Sequence, residues 1–268
     1  MHYDPIKRTL GNVFNRTPGL RKLFYRLLDT LLLRSWHIHK ELKLWKRDLT
    51  GVPSILDAGS GFGQYAYFLS RQFDRCNLRG IDVKEEQIEE CNAFFNAIGR
   101  NDIHFEVGDL TKLNTKAEYD LVLCVDVMEH IEEDVLVLTN YANALKKGGM
   151  LLISTPSDQG GSDVHGDDES SFIEEHVRDG YNVEDMRHKL TLAGFSKSEI
   201  RYSYGSPGKI SWKLSMKIPM LMLNQSKAFF IILPFYYLLV MPFALILNAA
   251  DVRQTHPTGT GLVVKAWK

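Results

Sequence analysis

Short apolar runs alternate with helical stretches from residue 54 to residue 200. The run 54–57 predicts a first strand, 64–73 a helix, 78–82 a second strand, and 84–98 a helix with Ile88, Cys91 and Phe95 on one side. A third strand follows at 103–107 and a fourth at 119–125, the latter nearly all apolar, as a strand covered on both faces should be. Then come a helix over 133–145, a Gly148-Gly149 stop, a strand over 150–154, a polar loop, a helix over 183–193 and a strand near 198–204. Strands alternating with helices predict an α/β fold built on a doubly wound parallel sheet. In such sheets ligands sit beyond the carboxyl ends of the strands, so the loops after strands one to five are where chemistry is expected. The stretch 157–171, rich in Gly, Ser and Asp, is too long and polar for a tight turn, and reads as a mobile lid or a plain surface insertion.

At 268 residues the chain suits one catalytic domain with decorations, large enough to bury a core without disulfides or structural metals. Cys76, Cys91 and Cys124 are odd in number and widely spaced, and Cys124 lies in an apolar run where it reads as a small core residue. A reduced, cytoplasmic setting follows. The net charge of −1 hides a division: residues 1–50 hold 11 Lys/Arg against 4 Asp/Glu, residues 51–200 hold 13 against 28, and residues 201–268 hold 8 against 1. Two basic flanks lying together would make a face for anionic lipid or another polyanion, whereas apart they are ordinary solvated surface.

The most informative stretch is Ile55-Leu56-Asp57-Ala58-Gly59-Ser60-Gly61-Phe62-Gly63. An apolar strand that ends in an acid and opens into three alternate glycines brings bare backbone amides against a nucleotide-like ligand at a helix start. A dinucleotide loop would place a small residue three after Gly61, where Gln64 stands. Acids recur just beyond successive strands, at Asp57, Asp82, Asp109 and Asp126. Asp82 falls 19 residues after Gly63, near the spacing at which a carboxylate accepts both ribose hydroxyls, although a helix N-terminal acid is the simpler use of such a residue.

Six blocks in order carry a family resemblance: Asp57-x-Gly59-x-Gly61-x-Gly63, Ile81-Asp82, Gly108-Asp109-Leu110, Tyr119-Asp120-x-Val122, Val127-Met128-Glu129-His130-Ile131 and Leu145-Lys146-Lys147-Gly148-Gly149. Together, across roughly 50–200, they resemble the class I S-adenosylmethionine-dependent methyltransferases, and the Met128–Ile131 run is most similar to the branch that methylates quinone precursors and other small molecules. The resemblance implies a Rossmann-like, mostly parallel seven-stranded sheet whose last, antiparallel strand 261–267 can supply. It implies S-adenosyl-L-methionine as cofactor, its methionine portion in the loop of Asp57, Gly59, Gly61 and Gly63, its ribose on Asp82, its adenine on Asp109 and Leu110, and Asp126 beside it. The chemistry implied is an in-line displacement at a methyl group, in which positioning supplies about 7–11 kcal/mol and a base a factor of about 10²–10⁴.

His130, after the fourth strand, is the first candidate base, although Glu129-His130 could equally organise the loop through hydrogen bonds. His176, before the next helix, is the second. Histidines 130, 165, 176 and 188 form no tight ligand motif and no paired cysteines accompany them, so no metal is expected.

Between Lys227 and Asp251 lie 23 residues without a charge. One helix of that length would reach about 35 Å, enough for a bilayer core. Strands six and seven flank the segment and must join one sheet, so the chain has to come back; with Pro234 and Pro242 breaking or kinking a helix, an interfacial or re-entrant hairpin is expected. Lys209, Lys213 and Lys217 would form one stripe beside Trp212 and Met216. Near the start, Leu20, Phe24, Leu27, Leu28 and Leu31 form an apolar helical face, with Arg21, Lys22, Arg26 and Arg34 mostly away from it, and no clean signal peptide.

The chain therefore divides into a basic amphipathic helical arm (1–50), a cofactor-binding core (51–205), a basic and apolar helical insertion acting as a membrane-docking lid (206–255) and a last core strand (256–268). A buried dimer interface or helices covering the sheet would use the same apolar surface. The reading is methylation at oxygen or carbon of a small hydrophobic or membrane-resident acceptor, a quinone precursor or another lipid, by a membrane-associated cytoplasmic enzyme. Methylation of a lipid-linked sugar or polar head group, and a non-catalytic cofactor-binding membrane scaffold, are the alternatives. A nucleic-acid acceptor is disfavoured because no Asn/Asp-Pro-Pro-aromatic run occurs.

Overall fold

In the computed structural model, which describes residues 17–160 and 177–268, the chain opens on helices α1 (Pro18–Leu31) and α2 (Leu33–Arg47). Thr17 caps α1 by accepting the Leu20 amide proton, and Pro18 sits in the first turn, where a missing amide proton costs nothing. The alternating core follows as β1 (Ser54–Ala58), α3 (Gln64–Gln72), β2 (Asn77–Asp82), α4 (Glu85–Ala97), β3 (Ile103–Val107), β4 (Tyr119–Val125), α5 (Asp134–Ala144), β5 (Leu145–Pro156), α6 (Val183–Leu192) and β6 (Lys197–Ser203). Short 3₁₀ turns, Leu110–Lys112 and Met128–His130, follow β3 and β4. After β6 come α7 (Ser206–Trp212), a π turn (Lys213–Lys217), α8 (Ile218–Gln225), a 3₁₀ turn (Lys227–Ile231), α9 (Leu233–Arg253) and β7 (Gly261–Trp267).

Among the described residues, seven strands form one sheet in the order β3-β2-β1-β4-β5-β7-β6, with β7 antiparallel to both neighbours. The period-two alternation of strand residues divides the core into two layers. Leu56, Val122, Cys124 and Ile153 pack with Leu138 and Met186 of α5 and α6. Ile55, Leu121, Leu123 and Leu152 pack with Tyr25, Ile38 and Phe95 of α1, α2 and α4.

Three expectations are corrected. Gly148-Gly149 does not end an element but lies inside β5, where the register to β4 shifts between Tyr119 and Leu121 and Gly148 takes a φ of 79°. Arg21 does not face away from the protein: it is buried beside Tyr25, while Leu23 and Leu27 are exposed. Its guanidinium replaces water by donating to the carbonyl oxygens of Phe62 and Glu90. Pro242 does not break the apolar segment, since α9 runs through it and Pro234 sits harmlessly in its first turn.

The chain does come back, by a different route from the one expected. The outgoing arm is α7, the π turn and α8, and the returning arm is α9. Ser211 Oγ bonds Asn248 Oδ1 at 2.6 Å, and the Tyr236 and Tyr237 hydroxyls donate to the carbonyl oxygens of Leu214 and Ser215 at 2.7 and 2.9 Å. The base of this hairpin meets α2, where His37 bonds Asp251 at 2.8 Å and Lys40 Nζ donates to the Val252 carbonyl oxygen at 2.7 Å. The two basic flanks thus adjoin, but Arg201 and Lys265 are both paired to Glu41.

Candidate functional site

The end of β1 turns through Gly59, Gly61 and Gly63, all with left-handed φ of 74°, 49° and 74°. At Gly59 a Cβ would come within 2.2 Å of Val127 Cγ2, so the loop after β4 can approach the turn only because the side chain is missing. The Gly59 and Ser60 amides donate to the Ile81 carbonyl oxygen at 2.8 and 3.0 Å. The Gly61 amide donates to Asp82 Oδ2 at 2.8 Å, and the Lys84 amide to Asp82 Oδ1 at 3.0 Å. From the other side, α1 clamps the turn: Tyr25 Oη and Arg21 Nη2 both donate to the Phe62 carbonyl oxygen, at 2.6 and 3.1 Å.

Within this frame Asp57 Oδ2 and Ser60 Oγ are buried without a hydrogen-bond partner. Burial, then the negative Asp82 nearby, pushes the Asp57 carboxyl up to about 7, against the Ala66 amide that favours its ionised form. Orphaned polar atoms on a glycine cradle mark a ligand site rather than core, because core polar groups are satisfied.

A second polar group lies beyond β4. Asp126 takes a left-handed φ of 53°, donates its amide proton to the Ser154 carbonyl oxygen at 2.8 Å and pairs its carboxylate with Arg34. Arg34 Nε has no partner of its own. Glu129 is buried, accepts the Thr155 hydroxyl proton at 3.1 Å, and has its carboxyl pushed up by burial and then by Asp126. Two polar groups therefore flank the carboxyl edge of the sheet, the Arg34–Asp126 ion pair and the buried Glu129 carboxyl, which burial holds toward its protonated form.

The expected site residues do not all come together. Asp57, Gly59, Gly61, Gly63 and Asp82 come together at the turn. Asp109 and Leu110 stand after β3, and the Gly108 amide before them ties that loop to the end of β2 by donating to the Asp82 carbonyl oxygen at 3.0 Å. Asp109 is exposed and held below its ordinary value by the Thr111 hydroxyl and amide, while Leu110 is buried. Asp126 joins Arg34 rather than the turn acids. His130 is exposed on its 3₁₀ turn, next to the buried Glu129. His176, and most of the polar 157–171 stretch, lie outside the described residues. Arg34 and Glu129 were missed as members of the site. Glu129 stood beside His130 in the motif and could have been found, but nothing in the leucine-rich sequence around Arg34 points to an acid 92 residues on.

Residues 55–149, which hold β1 to the start of β5, match the methyltransferase domain family. This stretch of the core is a methyltransferase domain. The methyltransferase core is 33% identical over 118 residues to the ubiquinone biosynthesis O-methyltransferase of Rickettsia conorii, covering 44% of this chain and 39% of that one. It is 25% identical over 152 residues to (S)-coclaurine N-methyltransferase of Papaver somniferum, covering 57% and 40%. The chain spans less than half the length of the curated relatives it matches. The fold is similar to that of Haemonchus contortus phosphoethanolamine N-methyltransferase 2 in complex with S-adenosyl-L-methionine, with a TM-score of 0.59 at 19% identity over 91% of this chain and 60% of that one. The residues present fit S-adenosylmethionine: a Cβ on Gly61 would meet nothing closer than Gln87 at 3.9 Å, and Asp57 Oδ2 and Ser60 Oγ keep polar atoms without a protein partner.

Proposed function

We propose that this protein transfers a methyl group from S-adenosylmethionine to an oxygen or carbon of a small hydrophobic acceptor resident in a membrane, a quinone precursor or another lipid. The observation that carries the acceptor class is the apolar surface of the hairpin. Phe235, Leu238 and Leu239 of α9 are 68%, 75% and 71% exposed, and Ile231 before them 75%. Soluble monomers rarely leave so contiguous an apolar patch in water. α9 is long and apolar enough to cross a bilayer by length and composition, yet β6 precedes the hairpin and β7 follows it, so both ends return to one sheet. A hairpin lying in one leaflet reconciles the two. Lys209, Lys213, Lys217 and Lys227 along it would each add roughly 1 kcal/mol at an anionic surface.

In this reading Gly59, Gly61 and Gly63 with Asp57 hold the amino-acid end of the cofactor, Asp82 the ribose, and Asp109 with Leu110 the adenine. Asp126 and Arg34 bound the same pocket at the β4 edge. When bound, the cofactor supplies an electrophilic methyl on a sulfonium sulfur. The protein's own task is to orient and to exclude water: α1 and α2 cover the turn, and the buried Glu129 keeps a proton near the edge of the site. His130, exposed after β4, and His176 are the groups proposed to receive a proton from a hydroxyl acceptor.

Transfer of a tritiated methyl group from labelled donor into extracted membranes tests the reading. Label in a chloroform-soluble quinone or simple lipid is expected. Label in a glycolipid would move the acceptor to a polar head group, and label nowhere, with donor still bound, would leave a scaffold.

A further inference from the structure

The foot of the apolar hairpin is tied into the core by one fully buried carboxylate. Asp251 Oδ1 accepts from His37 Nε2 at 2.8 Å and from the Tyr204 amide at 3.2 Å, and Oδ2 accepts from the Gly208 amide at 2.9 Å. His256 Nε2 lies 3.3 Å from Oδ2 and 2.9 Å from the Asp251 carbonyl oxygen. The packing there admits no slack: a Cβ on Gly208 would stand 2.6 Å from Asp251 Oδ2. On the far side of the His37 ring, Arg201 Nη1 is 3.0 Å from Nδ1. A guanidinium can only donate, so Nδ1 accepts and Nε2 carries the proton given to Asp251.

The same carboxylate reaches the cofactor edge in two further steps. Tyr204, whose amide it holds, has a left-handed φ of 54°, a strained state for a residue with a side chain. Its hydroxyl accepts the Arg34 amide proton at 3.0 Å. Arg34 lies in the first turn of α2, where backbone amides have no intrahelical acceptor, and Leu32 offers no side-chain cap. Tyr204 therefore supplies the cap that α2 lacks in its own sequence. One turn further along α2, His37 is held by Asp251 directly. The carboxylate thus holds α2 at His37 directly and at the Arg34 amide through Tyr204, and the Arg34 side chain leaving the helix at that second point meets Asp126.

We infer that Asp251 and Tyr204 are positioning residues for the methyl-donor site, holding the start of α2 so that Arg34 stands against Asp126. The inference rests on the reading that Arg34 and Asp126 border that site. It makes the base of the apolar hairpin part of the cofactor pocket's support, which neither residue's place in the chain suggests.

Calorimetric titration of the full chain with S-adenosylhomocysteine tests it, on Tyr204→Phe, Asp251→Asn, Arg34→Ala and each of the first two combined with the third. Tyr204→Phe keeps the ring and removes only the capping oxygen, so it remains informative if Asp251→Asn melts the fold, which circular dichroism reports. Each single variant at 204 or 251 is expected to weaken binding about threefold to tenfold, the worth of one or two hydrogen bonds, and to add almost nothing in the Arg34→Ala background. Kinetically, the donor KM should rise while the acceptor KM holds. Losses that persist at full size without the Arg34 side chain, or unchanged binding in Tyr204→Phe, would overturn the inference while leaving the cofactor site intact. A wild-type chain that binds no S-adenosylhomocysteine would sink the underlying reading, and this inference with it.

Discussion

The Asp82 carboxylate accepts the Gly61 amide proton at 2.8 Å, so the residue that ends β2 also closes the glycine turn that ends β1. Its other oxygen takes the Lys84 amide ahead of α4, which leaves lone pairs on both oxygens for a ligand's hydroxyls. Replacing Asp82 with Ala frees two backbone amides and removes the acceptor. Affinity for S-adenosylhomocysteine should fall at least about tenfold, with a stability loss of about 1–3 kcal/mol, and Asp82→Asn should fall between. Titration calorimetry with a thermal melt separates the two effects.

Asp57 makes the ligand-free protein pH-sensitive. Its folded carboxyl titrates at about 7, against about 3.9 for an unfolded one. A raised folded value means that the fold favours the neutral form, so this stabilising contribution is complete below pH 4 and lost as pH rises through 7. The stability of Asp57→Asn relative to wild type should therefore rise from pH 5 to pH 8, by roughly 3 kcal/mol at most. Urea unfolding without cofactor at the two pH values measures this, and parallel profiles would contradict it.

His130→Ala should lower the single-turnover rate by about 10²–10⁴ while leaving donor affinity within about twofold, if the acceptor is a hydroxyl. A near-normal rate would take His130 off the catalytic path and leave it as a loop residue beside Glu129.

Phe235, Leu238 and Leu239 lie along one strongly exposed stretch of α9. Changing all three to Ser should reduce flotation with anionic vesicles by at least about tenfold without altering the melt, since little core contact is lost. Added salt should weaken wild-type flotation in proportion to the lysines engaged. Equal flotation of both proteins would place the contact elsewhere, and a monomer–dimer change in the variant would assign the patch to self-association.

Much of the core was legible because it depends on local rules. Apolar runs of strand length alternating with helical periods placed β1 to β4 and β6 to within a residue or so, and six ordered blocks from Asp57 to Gly149 carried the family resemblance. Where the reading failed, a distant partner decided. Arg21 was set away from the apolar face of its helix, but the Phe62 and Glu90 carbonyls receive it in the core. Pro242 was expected to break or kink a helix, and α9 is continuous through it, bonded to the outgoing arm on either side by Ser211 and Tyr236.

By itself the sequence determined the strand order's raw material, the cradle of Gly59, Gly61 and Gly63, and the acids at the strand ends, since each follows from spacing within a few residues. Only the tertiary structure decided that Arg34 meets Asp126, that Tyr204 caps α2 and that Asp251 anchors the hairpin. Those contacts join segments up to 214 residues apart, and no periodicity encodes which buried donor will find which acceptor once the sheet has closed.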